Sequence, residues 1–487
     1  MFDLLEATIP QLQAALLTGA VTSRALVSAY LARIEAYDQV GPALNAISAV
    51  SPGALAEADA RDAERRVSGV RGPLHGIPVI VKDNYETADM QTANGSAAFE
   101  GWIPPDDGEI VRRLRAAGAI IIAKSNMHEF ARGITTVGSL FGATRNPYGL
   151  DRNPGGSSGG TGAAIAANFA AVGLGSDTCG SIRIPSAHNA LAGIRPTQGL
   201  TSRAGIIPLS STQDIGGPMG RSVTDIAIVL DAIAGFDPAD LQTAASFGNV
   251  PRSYTDSLRL GALRGARIGV LGYLFGDEPE DAEVGTIVHG ATREMAALGA
   301  AVESVEIPGV DEMLSDRMNG FTVLSHDFKF DLEAYLASRP SAPVRTLAEV
   351  LASGKFHPDL ESGLRIAEAI ESRDTAEYWE GIARREQLRL AILRTMAVHR
   401  LDAIAYPAIK RKANLIGQPQ LGHTCRLASN SGLPAVVVPA GYTLDGMPVG
   451  LELLGRPWSE PHLLGLAYAY EQASRHRRPP ASVPALN

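Results

Sequence analysis

Two kinds of hydrophobic pattern alternate along this chain. Short runs such as IPVIVK at 77–82 and AIIIAK at 119–124 are apolar almost throughout, which is typical of strands covered on both faces. Further runs of this kind recur at intervals that leave room for a helix between them. We therefore predict strands at 77–82, 119–124, 169–176, 267–271, 301–307, 402–406, 434–440 and 449–454.

The intervening segments show the 3.6-residue period of amphipathic helices. Residues 22–36 carry one apolar face, and residues 279–298 carry another that ends at Gly299. Residues 310–400 are predicted to be almost wholly helical, as an insertion between two groups of strands. The pattern predicts one α/β domain over residues 1–487, in which helices cover both faces of a central mixed, mostly parallel sheet.

The charge balance narrows the range of partners. Lys and Arg number 43 against 52 Asp and Glu, which gives a net charge of −9. With no basic excess, we expect neither nucleic acid nor an anionic membrane as a partner. The first residues lack the basic start of a signal peptide, and no run of about 18 uncharged apolar residues occurs. The two cysteines, Cys179 and Cys425, exclude a disulfide framework and fit a reducing compartment, so we expect a soluble cytoplasmic protein.

The densest unusual chemistry lies at 153–185, where two glycine-rich turns each carry a serine. The first turn, GGSSGG at 155–160, includes Ser157, and the second, DTCGS, ends at Ser181. Glycine lets the backbone approach another chain or a ligand closely, so backbone N–H groups can converge on a reacting atom. A flexible turn is the plainer interpretation. A phosphate loop is disfavoured, because the required Lys-Ser/Thr pair does not follow the GxxxxG spacing.

Two residue types could activate such a serine. No histidine lies in a metal-binding spacing, and neither serine lies in a GxSxG elbow. His188 could act as a base, although a packed histidine on a short helix explains it as well. Lys82 closes an apolar strand and therefore faces either solvent or a site. Periodicity alone leaves these alternatives open.

Several ordered blocks resemble the amidase signature family. GPLHGIPVIVKDN at 72–84 is similar to the lysine segment of that family, and PGGSSGGTGAA with GLGSDTCGSIRIPSA is similar to its signature. Further similar blocks lie at 117–133, 141–149, 193–225 and 429–455. The resemblance covers residues 10–235 and 400–475 and implies the amidase signature fold.

The resemblance also implies a role for individual residues. The base corresponds to Lys82, the relay serine to Ser157 after a cis Gly156–Ser157 bond, and the nucleophile to Ser181. Ser158 belongs to the same supporting turn. Where the family usually has glycine, this chain has Cys179, for which we expect an altered loop shape. The implied oxyanion hole consists of the backbone N–H groups of Thr178, Cys179, Gly180 and Ser181, braced by Asp177 and Arg183.

The implied reaction is acyl transfer to a serine, with no metal or organic cofactor. An amidase of small aryl or alkyl amides, anilides, carbamates or hydrazides is expected. Two alternatives remain open: the A subunit of a tRNA-dependent amidotransferase, and a noncatalytic binding protein on the same fold. The oligomeric state is also open, with a homodimer as one option.

The substrate pocket is expected to involve the loop 126–141 and the insertion 310–390. Aromatic residues of the insertion suit it to cover an apolar acyl group, although they are equally suited to ordinary packing. These aromatic residues are Phe321, Phe328, Phe330, Tyr335 and Tyr378.

Overall fold

A computed structural model describes residues 3–314 and 321–486. All eight predicted strands are present, with ends that differ by at most three residues. Three further short strands, at Ile47–Val50, Ala192–Arg195 and Ile215–Gly220, complete an eleven-stranded sheet. The strands are β1 (Ile47–Val50), β2 (Pro78–Lys82), β3 (Ile120–Ser125), β4 (Val172–Asp177), β5 (Ala192–Arg195), β6 (Ile215–Gly220), β7 (Arg267–Leu271), β8 (Ala301–Val305), β9 (Ala403–Pro407), β10 (Ala435–Tyr442) and β11 (Pro448–Leu454).

The strand order is β1-β3-β2-β4-β6-β5-β10-β11-β9-β7-β8. The sheet is mixed, as predicted, but the predicted parallel majority is wrong. Strand β2 pairs in parallel with β3 and β4, and β7 pairs in parallel with β8 and β9. The other six pairings are antiparallel. Four of those six involve β1, β5 or β6, the strands that the sequence pattern did not predict.

Helices cover both faces of the sheet, as predicted. They are α1 (Ile9–Leu17), α2 (Ser23–Tyr37), α3 (Ala54–Ser68), α4 (Glu109–Ala116), α5 (Gly159–Ala166), α6 (Arg183–His188), α7 (Val223–Ile233), α8 (Ala282–Ala297), α9 (Val310–Leu314), α10 (Phe321–Ala337), α11 (Leu347–Ser353), α12 (Glu361–Glu368), α13 (Ala376–Val398), α14 (Arg426–Ser431) and α15 (Glu460–Ser474). No helix in the described ranges is both long enough and apolar enough to cross a bilayer.

The central strands show why the sequence pattern worked. Val79 and Val81 of β2 belong to the core on one face of the sheet, whereas Ile80 belongs to the core on the other face. All three side chains are fully buried. Because successive residues of a strand point to opposite faces, a strand between two layers of helices must be apolar throughout.

Helices α9–α13 form the segment between β8 and β9, where a helical insertion was expected. The fully buried Phe328 of α10 packs edge-on against Phe130, and the phenol of Tyr335 bonds to Glu86. The phenol of Tyr378 donates to Asp327. These rings therefore have structural partners within the protein, and the side chain of Phe321 lies outside the described residues.

Gly160 of α5 allows a test of how closely this helix packs against the backbone of its neighbours. A Cβ on Gly160 would lie 2.1 Å from the carbonyl oxygen of Asn126 and 2.7 Å from that of Ala46. Because both contacts are with backbone, Gly160→Ala should destabilise the protein by about 3 kcal/mol and lower its Tm by about 3 °C. Gly72→Ala is the matched control, since an added Cβ meets nothing within 4 Å. Equal melting curves for the two variants would contradict this packing.

Candidate active site

Lys82 ends β2 inside the protein, with a fully buried side chain. Its Nζ atom donates to Ser157 Oγ at 2.7 Å and to Ser176 Oγ at 2.9 Å. Burial lowers the pKa of Lys82 to about 7, against the opposing effect of the carboxylates of Asp177 and Asp214. A substantial fraction of this amine is therefore neutral near pH 7 and able to accept a proton.

Asp83, the next residue, points away from this amine and binds elsewhere. Its carboxylate lies 3.9 Å from Lys124 Nζ and accepts hydrogen bonds from the backbone of Gly95 and the hydroxyl of Ser48. Lys124 is also fully buried, and burial lowers its pKa to about 8. The two buried lysines of adjacent strands therefore differ in their partners: Lys124 has the Asp83 carboxylate as well as the hydroxyl of Thr92, whereas Lys82 donates to two serine hydroxyls.

Ser157 follows a cis peptide bond to Gly156, immediately before α5. Its carbonyl oxygen accepts the backbone N–H of His128 at 3.0 Å, which joins this turn to the loop after β3. A Cβ on Gly156 would lie 2.8 Å from the carbonyl carbon of Ile134. The glycine thus permits close approach of Ile134 and Thr135, which are themselves partly exposed.

Ser181 lies at the end of a short loop between β4 and α6. Its carbonyl accepts the backbone N–H of Ser158 at 3.1 Å, so the two serine turns are in direct contact. The hydroxyls of Ser157 and Ser181 are not hydrogen-bonded to each other within the described ranges. The structure therefore brings the Lys82 amine to Ser157, and the Ser157 turn to Ser181, without completing the hydroxyl contact.

The backbone carbonyl groups and the backbone N–H groups of this loop differ in whether they have hydrogen-bond partners. Every carbonyl from Asp177 to Ser181 accepts a hydrogen bond, from Arg195, Gln213, Arg183, Ile184 and Ser158 in turn. In contrast, the four backbone N–H groups of residues 178–181 donate to no atom of the described chain. Four adjacent donors without an acceptor form a ready binding site for a negatively charged oxygen.

Buried ion pairs hold the loop in this shape. Asp177 accepts from Arg183 at 3.2 Å, from Arg195 at 2.8 Å and from the backbone of Ile182 at 3.0 Å. Burial alone would raise the pKa of Asp177, but the two guanidinium groups outweigh it and lower the pKa. Arg183 also pairs with Glu452 at 2.6 Å. The contact expected between Asp177 and Arg183 is therefore part of a larger network.

Sequence reasoning missed several residues of this site. Ser176 is the second hydroxyl on Lys82, and Asp214 accepts the hydroxyl of Thr178 at 2.6 Å. Arg195 and Gln213 hold the loop carbonyls. Asp214 was missed because β6 was not predicted from the sequence. The antiparallel pairing of β6 with β4 places residue 215 opposite residue 177, and this brings Asp214 to the loop.

The structure corrects the interpretation of the two cysteines, which the sequence analysis did not expect to be paired. Cys179 and Cys425 form a disulfide with a Cα–Cα distance of 5.2 Å. The sequence separation of 246 residues hides this pairing, because only the fold places the start of α14 beside the serine loop. The loop therefore carries a covalent crosslink that the sequence did not predict.

His188, the alternative base, is packed away from the serines. Its Nε2 atom lies 3.1 Å from the carbonyl oxygen of Arg411, and burial lowers its pKa to about 4. Its ring makes no hydrogen bond to Ser157 or Ser181 in the part of the chain that is described. The plainer interpretation, a packed histidine on a short helix, agrees with this environment.

Known proteins resemble this chain over almost its whole length. The family profile described as Amidase matches residues 25–464. The A subunit of the glutamyl-tRNA(Gln) amidotransferase from Symbiobacterium thermophilum is 36% identical over 484 residues, which cover 94% of this chain and 95% of that protein.

Solved structures agree with this relationship. Native peptide amidase from Stenotrophomonas maltophilia is 41% identical, with a TM-score of 0.90 over 98% of both chains. The A subunit of the glutamyl-tRNA(Gln) amidotransferase from Thermotoga maritima is 26% identical, with a TM-score of 0.78 over 100% of this chain and 99% of its own. A profile across most of the chain and close full-length relatives establish the relationship. The chain belongs to the amidase signature family.

Proposed function

We propose that this protein is a free-standing amidase that hydrolyses C–N bonds through Ser181, Ser157 and Lys82. The observation that carries the proposal is the buried hydrogen bond of 2.7 Å between Lys82 Nζ and Ser157 Oγ. A lysine with a pKa of about 7 and a serine hydroxyl as its partner suits proton transfer near neutrality.

In the proposed reaction, neutral Lys82 accepts the proton of Ser157, which in turn accepts the proton of Ser181. A rotation of the Ser181 side chain completes the contact between the two hydroxyls. Catalytic hydrogen bonds often shorten only in the complex with substrate, and we propose that the contact between these two hydroxyls forms there. The Ser181 alkoxide attacks the amide carbonyl, and the carbonyl oxygen becomes negatively charged.

The four backbone N–H groups of residues 178–181 would stabilise that charge. A single donor of this kind is often worth about 3–4 kcal/mol. The proton then passes back through Ser157 to the leaving amine. Water then attacks the acyl carbonyl, and its proton passes through Ser157 to Lys82. The acid leaves, and the same proton returns through Ser157 to restore the Ser181 hydroxyl.

The proposed substrates are small aryl or alkyl amides, including anilides, carbamates and hydrazides. Ile134 and Thr135 suit the role of pocket wall, because they are partly exposed and lie directly against Gly156. The insertion contacts the other side of the site through Asp327, which accepts the hydroxyls of Ser210 and Thr212 at 2.6 Å. Both hydroxyls belong to the loop that carries Asp214, and this contact supports the proposal that the insertion covers the pocket.

A second candidate is supported by the 36% identity to an amidotransferase A subunit. Such a protein would act with partner chains and deliver ammonia rather than release it. The 41% identity to the peptide amidase favours the free-standing enzyme.

A substrate screen with the purified single chain separates the two candidates. We expect hydrolysis of at least one member of a panel of peptide amides, acetanilides, phenyl carbamates and benzoic hydrazides, with Ser181→Ala as the inactive control. Glutamine should be a poor substrate. Glutaminase activity that appears only with added amidotransferase partner chains, and no activity on the panel, would favour the second candidate.

A further inference from the structure

The Cys179–Cys425 disulfide joins the loop of residues 178–181 to the start of α14. Cys179 itself carries one of the four N–H groups of that loop. The loop has no helical or strand structure between Asp177 and Arg183, so its shape depends on the hydrogen bonds to its carbonyls, on the ion pairs around it and on this crosslink.

Other contacts show that Cys425 and its helix pack against the same loop. A Cβ on Gly180 would lie 2.7 Å from the Cβ of Cys425, so the two residues are packed as closely as glycine allows. The guanidinium of Arg183 donates to the carbonyls of both cysteines, at 3.2 Å for Cys425. Ser429, one turn into α14, places its hydroxyl 3.7 Å from Cys179 Sγ. The position of α14 is therefore coupled to residues 179 and 180.

The two cysteine residues differ in their exposure to solvent. Cys179 is partly exposed, whereas Cys425 is only 3% exposed. A reductant can therefore approach the bond from the side of Cys179. The crosslink is both next to the reacting centre and open to thiol chemistry.

We propose that this disulfide is a redox-sensitive positioning element of the oxyanion loop, residues 178–181. Intact, it holds the N–H groups of Cys179 and Gly180 toward the substrate carbonyl; reduced, it lets the loop and α14 separate, and turnover falls. The inference rests on the proposed function, because it assigns regulation to that site.

The redox step requires a dithiol, such as dithiothreitol, as the reductant. One thiolate of the dithiol attacks Cys179 Sγ, the Cys179–Cys425 bond breaks, and Cys425 leaves as a thiolate. The second thiolate attacks the resulting mixed disulfide and releases Cys179. Two electrons and two protons pass to the protein, and the dithiol becomes a cyclic disulfide.

The disulfide can be detected directly. Trypsin should cut after Arg152, Arg183, Lys412 and Arg426, so an unreduced digest should contain peptide 153–183 joined to peptide 413–426. Recovery of both peptides with free thiols from enzyme purified without reductant would overturn the proposal.

The functional test compares kcat and KM of the oxidised enzyme, the dithiothreitol-treated enzyme and the enzyme reoxidised with oxidised glutathione. We expect kcat to fall about tenfold on reduction, less than the full loss of one oxyanion donor, with KM changed less than twofold. Reoxidation should restore kcat. Cys425→Ala should resemble the reduced enzyme and should not respond to dithiothreitol, and assays well below each Tm exclude unfolding as the cause.

The outcomes separate this inference from the proposed function. An oxidised enzyme that hydrolyses nothing on the substrate panel contradicts the proposed function itself. A reduced enzyme, or a folded Cys425→Ala variant, that keeps kcat within twofold of the oxidised enzyme contradicts the positioning role. A lower Tm with unchanged kcat would do the same, because it would mark the disulfide as a stabilising crosslink only.

Discussion

Ser181→Ala should lower kcat by at least ~10⁴-fold while leaving the fold intact. The side chain is small and only 4% exposed, and its carbonyl contact with Ser158 belongs to the backbone, which alanine preserves. No neighbouring group can replace the hydroxyl, because Cys179 is in a disulfide and Ser157 is already paired with Lys82.

Ser158→Ala is the matched control for this substitution. Ser158 lies next to the relay serine, and its hydroxyl donates to the carbonyl of Ser176 at 3.1 Å rather than to Lys82. We expect a moderate loss of turnover from this variant, far smaller than that of Ser181→Ala. Comparable losses of kcat in the two variants would mean that these turns are sensitive to any substitution, and would contradict the role of Ser181 as the nucleophile.

The second large effect concerns Lys82. A free lysine, with a pKa near 10.4, would be neutral in only about one molecule per thousand at pH 7.5. With a pKa of about 7, about three-quarters of the molecules carry the neutral amine at that pH. The active form is the deprotonated one, so kcat/KM should rise with pH through an apparent pKa near 7 and then level off.

Lys82→Arg and Lys82→Met should each lower kcat by about 10³-fold. Arginine keeps the charge but does not deprotonate near neutrality, and methionine keeps the shape of the side chain without the amine. Lys124→Met is the comparison for loss of a buried lysine, and it should affect stability more than the pH profile. If Lys82→Arg kept more than about a tenth of the wild-type kcat, Lys82 would be a positioning cation and the base would lie elsewhere.

The sheet was largely predictable where strands are apolar on both faces. Ile80, between Val79 and Val81, faces a second core, and such continuous runs identify a strand without any knowledge of its neighbours. Strand β6 has the sequence IGGPMG, whose glycines and proline are poor strand formers on local propensity. Its pairing with β4 outweighs that propensity, and the predicted parallel majority failed because strands such as β6 were missing.

The residues of the candidate site also fall into two groups, those that a local sequence block identifies and those that only the fold brings to the site. Lys82, Ser157 and Ser181 were identified through the family resemblance, and each lies in a local sequence block that can be recognised. Arg195 acts on the loop from β5, 18 residues along the chain, and Cys425 acts on it from the start of α14, 246 residues away. Contacts of this kind depend on the assembled fold, because nothing in the local pattern around residue 425 indicates a partner at residue 179.

The central claim, that Ser181 is the nucleophile, is tested most directly by covalent labelling. A fluorophosphonate reacts with an activated serine, and tryptic peptide 153–183 contains both Ser157 and Ser181, so fragmentation of that peptide must locate the adduct. We expect one adduct per chain, on Ser181, and none in Ser181→Ala. An adduct on Ser157 or on any other residue, or labelling of Ser181→Ala at the wild-type rate, would contradict the account.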